Sequence, residues 1–447
     1  MIDVTNRPLV TPEQAIQILR KHNKRGGLFA DLDRCLDYRT ALIPEFYEQK
    51  KICQKLIGDH ALHIQDKAAF IRDMTTKFHV DEKLFYWKGS KSANKKVLEN
   101  ILDQDDIDEE VKNIIREYRD WGICYYLLTN ALPQYINAPL STVESYEGHR
   151  MVRCEPVWVE LATGRLGASK PSLQNMTELI SDIFTVPAGY TMLRADAGQI
   201  EPRIIYSYYV KDPLIKYLIE LYNDAYYGML HYALMTDDED RRARSDFSVI
   251  KEMERDEKKR KQLKTLGNAG NYGKSDLKEV DPILASQFQR RIVKHPLRVE
   301  WEKDARERVY SGEESCYTAF GRRITPTDEN CAYVKGNNKP WMNHLVRCFI
   351  NNPVQGTAGD LFNMGIAEAD HILETRSLMG SSIIYGKHDE LAFMVHESEF
   401  EELKDDLAGC TSYHHDGWID IHSEAEVGVQ GGTERWLEYK TKAEGIN

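Results

Sequence analysis

The stretch YTMLRADAGQIEPR, residues 190–203, decides how this chain is read. Tyr190–Ala195 has the run and alternation of a strand, and at Asp196 the chain turns through Ala197 and Gly198 into a helical segment. The pattern predicts an aspartate at the sheet's edge, just where the strand ends, with its side chain clear of the ladder. A second stretch, SSIIYGKHDELAFMV at 381–395, reads as two apolar strands joined by a tight polar turn at His388–Asp389. Flanking core strands hold such a turn rigidly, so Asp389 is a second acid with a defined place. Two carboxylates from separate strands on one sheet face can hold two hard divalent cations that bridge an attacking oxygen and a departing phosphate. Singly, each aspartate says little: the chain has 71 acidic residues, and an Asp in a turn commonly serves the turn itself.

A third stretch, RKQLKTLGNAGNYG at 260–273, repeats Arg260, Lys264, Asn268 and Tyr272 at every fourth position, which aligns them along one helical stripe. Two cations on adjacent turns can grip the oxygens of a triphosphate, and a ring two turns on can stack on a base or sugar. Basic runs are ordinarily solvated helix faces, and Gly267, Gly270 and Gly273 each cost a helix about 1 kcal/mol against Ala. Close approach by a ligand is one reason for tolerating them.

Around these stretches, 447 residues at roughly 100–200 per domain suggest two to four domains or subdomains. The usage is that of a folded, water-soluble chain, with 42% hydrophobic and 29% charged residues. Net charge is −12, which excludes bulk cationic binding of nucleic acid and leaves local basic patches to make any phosphate contact. The eight cysteines show no CxxC spacing and read as reduced, mostly buried thiols. With no apolar run of 18 residues and no apolar signal core at the start, the expectation is an intracellular protein that spans no membrane. Apolar spacing predicts helices over 11–25, 40–58, 65–77, 91–103 and 108–130, so the first 145 residues read as largely helical. Strands begin near 150, helices return over 200–310, and a cleft in an α+β body follows from that order.

In chain order the three stretches, 190–203, 260–273 and 381–395, resemble the polymerase motifs A, B and C of the family A DNA polymerases. TGRLGASKPSLQN (163–175), TAFGRR (318–323) and NNPVQGTAGD (351–360) are similar to further segments of that family, and the resemblance covers about residues 60–436. It implies an α+β right-hand polymerase with an antiparallel palm sheet, helical fingers and a helical thumb. The corresponding boundaries are palm entry 1–40, thumb 41–145, palm 146–205, fingers 206–335 and palm 336–447. It implies template-directed addition of dNTPs to a primer 3′-hydroxyl by two Mg²⁺ ions held by Asp196 and Asp389 with the Ala197 backbone, Glu390 being a carboxylate of lesser role. Arg260, Lys264, Asn268, Tyr272, Gln199, Glu201 and Tyr226 would meet the dNTP, with Lys264 also the acid for pyrophosphate and Glu201 the steric gate against a ribose 2′-hydroxyl. Arg165, Gln174, Asn175, Arg347, Gln355 and His388 would contact primer or template through the minor groove, which tests pairing geometry without fixing sequence.

The partners implied are primed DNA, dNTPs and replisome proteins, in the cytoplasm of a bacterial or phage-infected cell. Departures from the pattern are Asn268 in place of an aromatic residue, Ala197–Gly198 in place of Tyr-Ser, Pro202 after the gate and Tyr226 in place of a histidine. The stretch before motif A is too short for a proofreading domain beside a thumb, and Asp31 and Asp33 in FADLDR are read as palm entry rather than as a nuclease centre. Lys88, Lys91, Lys95 and Lys96 form a basic tip suited to duplex phosphates. A single-subunit RNA polymerase and a silent DNA-binding scaffold are the competing readings; Glu201 and the chain's length disfavour the first. The presence of both aspartates with Arg260 and Lys264 disfavours the second.

Overall fold

The computed structural model describes every residue other than 58–63, 65, 88–89, 103, 105, 140–142, 147, 172–177, 272–279, 327–338 and 429–447. Gln174, Asn175, Tyr272 and Lys88 therefore lie outside the described residues, and of Asn268 and Lys96 only the backbone is described. The chain divides into two compact units. One comprises Met1–Gly27, Glu155–Gln174 and Gly189–Gly428, the other Leu28–Cys154 and Asn175–Ala188.

The first unit is built on a four-stranded antiparallel sheet in the order Ser382–Lys387, Glu390–His396, Tyr190–Ala197, Ser423–Val427. Tyr190–Ala197 is thus an interior strand, and Met192 to Ala195 are buried along it. Because partners on both sides keep the ladder going, the strand runs two residues beyond Ala195 and takes Asp196 with it. Asp196 does not lie past the strand's end at the sheet's edge, as its sequence suggests, but is paired with Glu390 on one side and Glu424 on the other. The two strands expected over 381–395 form as read, with His388 at φ +57° in their turn.

Helices cover this sheet. Pro12–Arg25, opened by a Thr11–Gln14 capping box, packs on Ser382–Lys387, and the long helix Lys339–Arg376 packs on it in turn and on Ile200–Ile204. One apolar core runs from Ala197, Ile200 and Ile204 through the helices Pro213–Tyr222 and Ala225–Leu234 to Leu263 and Leu266. Those two leucines lie on the helix Glu257–Asn271, which forms through Gly267 and Gly270. Burying each Leu is worth about 1.5–3 kcal/mol, enough to offset about 1 kcal/mol per glycine. Gly228 sets the approach of two of these helices: a Cβ there would lie 2.7 Å from the Cα and backbone nitrogen of Ile219.

The second unit packs the helices Leu32–Ile57, Lys67–Thr76, Lys95–Leu102 and Glu109–Tyr126 around Phe70 and Tyr118, whose rings stack at 3.6 Å between centroids. It also holds a four-stranded sheet, ordered Val143–Tyr146, His149–Cys154, Leu28–Asp31, Phe184–Thr185. The expectation of a largely helical first 145 residues therefore misses a strand at 28–31. Leu28, Phe29 and Ala30 are all buried, so the strand shows no alternation and merges into the surrounding helical pattern. Asp33 accepts hydrogen bonds from the Arg150 side chain and backbone, while Asp31 caps the Arg34 N–H. Asp31, Asp33 and His149 do gather, with candidate ligand atoms within 4.8 Å of one another. Arg150 is already the counter-charge there. Among the described residues no helix is long and apolar enough to cross a membrane, and none of the seven described cysteines is in a disulfide, all but Cys348 being buried.

Asp212, the N-cap of Pro213–Tyr222, ties three parts of the first unit together. Its Oδ1 accepts the Leu214 and Ile215 N–H groups, and its Oδ2 meets Arg244 at 2.9 Å and His295 at 3.2 Å. Burial alone would raise this carboxyl, but the hydrogen bonds from His295, Ile215 and Arg244 outweigh it and hold the group well below its ordinary 3.8. A depressed folded pKa contributes stability that is present above the unfolded value and is lost as pH falls toward the folded one. Asp212→Asn should therefore lose about 2 kcal/mol in urea unfolding near pH 7, with the gap to wild type narrowing as the pH drops below about 4.

Candidate active site

Asp196 and Asp389 are brought together by the backbone. The Ala197 N–H donates to the Asp389 carbonyl at 3.0 Å, so the hairpin turn is bonded to the end of the central strand. Gly198 follows, its N–H on the His422 carbonyl at 2.9 Å, and an added Cβ would stand 3.0 Å from that same oxygen. This close approach explains a glycine next to the acid. Gln199 then takes a left-handed conformation, φ +56°, and opens the helix Ile200–Ile204, whose first turn accommodates Pro202.

The charges explain what the pair can do. Burial pushes the Asp196 carboxyl well above the carboxylate range, and the neighbouring Asp389, Glu390 and Glu424 push it further, with Lys264 opposing. Asp389 is also raised, first by burial and then by Glu201 and Glu390, against the pull of Arg165. A half-buried set of hard oxygen donors with unbalanced negative charge fits a divalent cation of the Mg²⁺ class. Glu390 is spoken for: its Oε2 accepts from Arg194 at 3.1 Å and its Oε1 from the Tyr385 hydroxyl at 2.8 Å. Arg194 is buried in the central strand and also bonds Glu426 and the Gly428 carbonyl.

The cationic stripe faces an aromatic pair. The Arg260 guanidinium lies 5.8 Å and 5.6 Å from the ring centroids of Tyr226 and Tyr227, and Lys264 Nζ lies 5.9 Å from that of Tyr226. Glu201 is ion-paired with Arg165, and it lines a small cleft with Ile205, Arg298, Trp301, Asn351 and Gln355. Arg347 is exposed on the same long helix as Gln355, and His388 is exposed at the tip of its turn. The structure thus brings Asp196 near Asp389 and Arg260 near Lys264 and Tyr226, as grouped from sequence, and it pairs Arg165 with Glu201, which the sequence reading assigns to different partners.

Residues 47–436 match the sequence profile of DNA polymerase family A. The chain belongs to this family. It is 27% identical over 334 residues to the DNA polymerase I of Pseudomonas aeruginosa, covering 70% of this chain and 32% of that protein. The thermostable DNA polymerase I of Thermus filiformis is 27% identical over 299 residues, covering 62% and 32%. This family A chain thus spans about a third of the length of these relatives. A solved structure titled the POL domain of Pol1 from M. smegmatis in complex with DNA primer-template and dNTP matches with a TM-score of 0.73 at 18% identity, covering 94% of this chain and 70% of that one. The α+β polymerase-domain fold of family A is the fold of this chain.

Asp224, Arg194 and Arg203 are the neighbours that sequence reading passed over. Arg194 had a signal, a cation set between the apolar residues Leu193 and Ala195 of a buried strand. Replacing it by Met would leave one oxygen of Glu390 unpaired between strands of this polymerase sheet. Arg194→Met is expected to destabilise the protein by about 2 kcal/mol, read as a lower urea midpoint.

Proposed function

We propose that this chain extends a DNA primer with dNTPs on a DNA template. The observation that carries the reading is the hydrogen-bonded approach of the Asp389 turn to the Asp196 strand, with a cationic helix standing over an aromatic pair in the same unit. We assign the sheet-bearing segments to the palm, the helices of 206–335 to the fingers and those of 41–145 to the thumb. Lys91 and Lys95 stand on the thumb's surface for duplex phosphates.

Asp196 and Asp389, with the Ala197 backbone, are the residues that would hold two Mg²⁺ ions. Bound there, the ions supply Lewis-acid activation of the primer hydroxyl and charge stabilisation of the leaving group. Arg260 and Lys264 hold the triphosphate as a pair of fixed cations, so that the α-phosphate stands in line with the primer terminus. The Lys264 Nζ also supplies a proton to the departing pyrophosphate oxygen. Glu201, pinned by Arg165, crowds the sugar's 2′ position, and Pro202 beside it departs from the family pattern. Tyr226 takes the histidine's place beside the phosphates. Arg347, Gln355 and His388 face the minor groove, and the assignments of Gln174, Asn175 and Tyr272 fall outside the described residues.

Primer extension on a primed DNA template with Mg²⁺ tests this. The expected result is extension with dNTPs and little with rNTPs, and a loss of about a thousandfold or more in rate for Asp389→Asn. Primed DNA bound with no extension by the wild type would favour the scaffold reading, and equal use of rNTPs would remove Glu201 as a gate. Glu201→Ala should raise rNTP use relative to dNTP by about tenfold or more in single-nucleotide incorporation. Incubation of a mismatched primer without dNTPs should leave its 3′ end intact.

A further inference from the structure

Asp224 has more bonds than a helix cap needs. Its Oδ1 caps the helix Ala225–Leu234 through the Tyr227 N–H at 2.8 Å. Its Oδ2 is used elsewhere, accepting from Arg260 Nε at 2.9 Å, Arg260 Nη2 at 2.6 Å and Gln199 Nε2 at 2.8 Å. The Gln199 Oε1 in turn accepts the Ala225 N–H at 2.6 Å. The residue before, Asn223, is fixed from the same side: Arg203 Nη2 donates to its carbonyl at 2.9 Å and its side chain at 3.2 Å, while Arg203 Nε donates to the Gly198 carbonyl at 3.1 Å. Gly198 and Gln199 directly follow Asp196 and Ala197. A continuous chain of hydrogen bonds therefore runs from the turn after the catalytic strand, through Asn223–Asp224, to the guanidinium on the neighbouring helix.

We infer that Asp224 is a positioning residue that fixes the Arg260 guanidinium relative to the Asp196 turn, and so sets where a nucleoside triphosphate is gripped. This rests on the polymerase reading above. The planar guanidinium has two useful edges, and Asp224 takes the one formed by Nε and Nη2. The Nη1 end is left to the ligand side, with Glu257 4.0 Å away and largely exposed as its weak competitor. Tyr226 and Tyr227 close off the ring-facing side of the same group. An unrestrained Arg on a helix face samples many rotamers, and holding one of them beforehand lowers the cost of binding a phosphate in register.

The test is a double-variant cycle in single-nucleotide incorporation on primed DNA, reading KM for dNTP and kcat separately. Asp224→Ser keeps a helix-capping oxygen but is too short to reach Arg260. It should raise the dNTP KM about tenfold with kcat changed by less than about threefold, and leave primer-template affinity as in wild type. In an Arg260→Ala background the same change should raise KM by less than about twofold, because the group it positions is gone. Asp224→Asn keeps the shape but must turn an amide N–H toward either Arg260 or the Tyr227 N–H; it should match Asp224→Ser, and it carries the test if the serine variant does not fold. An unchanged KM in the folded variant, or effects that simply multiply in the double variant, overturns the inference while the polymerase reading stands. A wild type that extends no primer overturns both.

Discussion

The bond between the Ala197 N–H and the Asp389 carbonyl holds the centre of this molecule. It joins the last residue of an interior strand to the turn of a hairpin, and so places two acids on one backbone frame rather than on two flexible loops. What lies around it has to accept the result. Burying Asp196 among Asp389, Glu390 and Glu424 concentrates negative charge where solvent cannot dissipate it, and that cost is answered in part by Arg194 on Glu390 and by Lys264 near Asp196. The unanswered remainder is a net negative charge of the kind a divalent cation would neutralise.

The same frame explains the small residues beside it. Gly198 has a carbonyl where its side chain would be, and Gly228 has a backbone, so two helices and a strand can come closer than any Cβ allows. The helix Glu257–Asn271 follows another rule. Its glycines weaken it locally, but Leu263 and Leu266 fasten it to the core shared with Ile200 and Ile204, which fixes the helix against its neighbours.

Much of this could be read from residues in order. The apolar runs on both sides of His388–Asp389 dictate a hairpin, and the fourfold spacing of Arg260 and Lys264 dictates a shared face. Those signals are local, and they survive in any context. The strand Leu28–Asp31 was illegible because burial on both faces erases alternation. Asp224 was illegible for a different reason: as an N-cap before Ala225 it looks fully employed, and its second oxygen meets Arg260 36 residues further along. Asp196 looked as if it lay beyond its strand because nothing in 190–203 reveals that a strand from 423–427 will extend the ladder past it. Pairings over such distances are decided by tertiary packing, not by the neighbours in sequence.

That last strand has a consequence for how the protein comes into being. Arg194 reaches Glu390 across 196 residues and the Gly428 carbonyl across 234. Closing loops of that size is slow, and a chain emerging from a ribosome at about 5–20 residues per second waits many seconds between making the first strand and making its partners. During that interval Asp196 stands on an unpaired strand with no second acid beside it. The newborn chain therefore lacks the paired carboxylates until synthesis has passed the hairpin, and the site is assembled late and all at once.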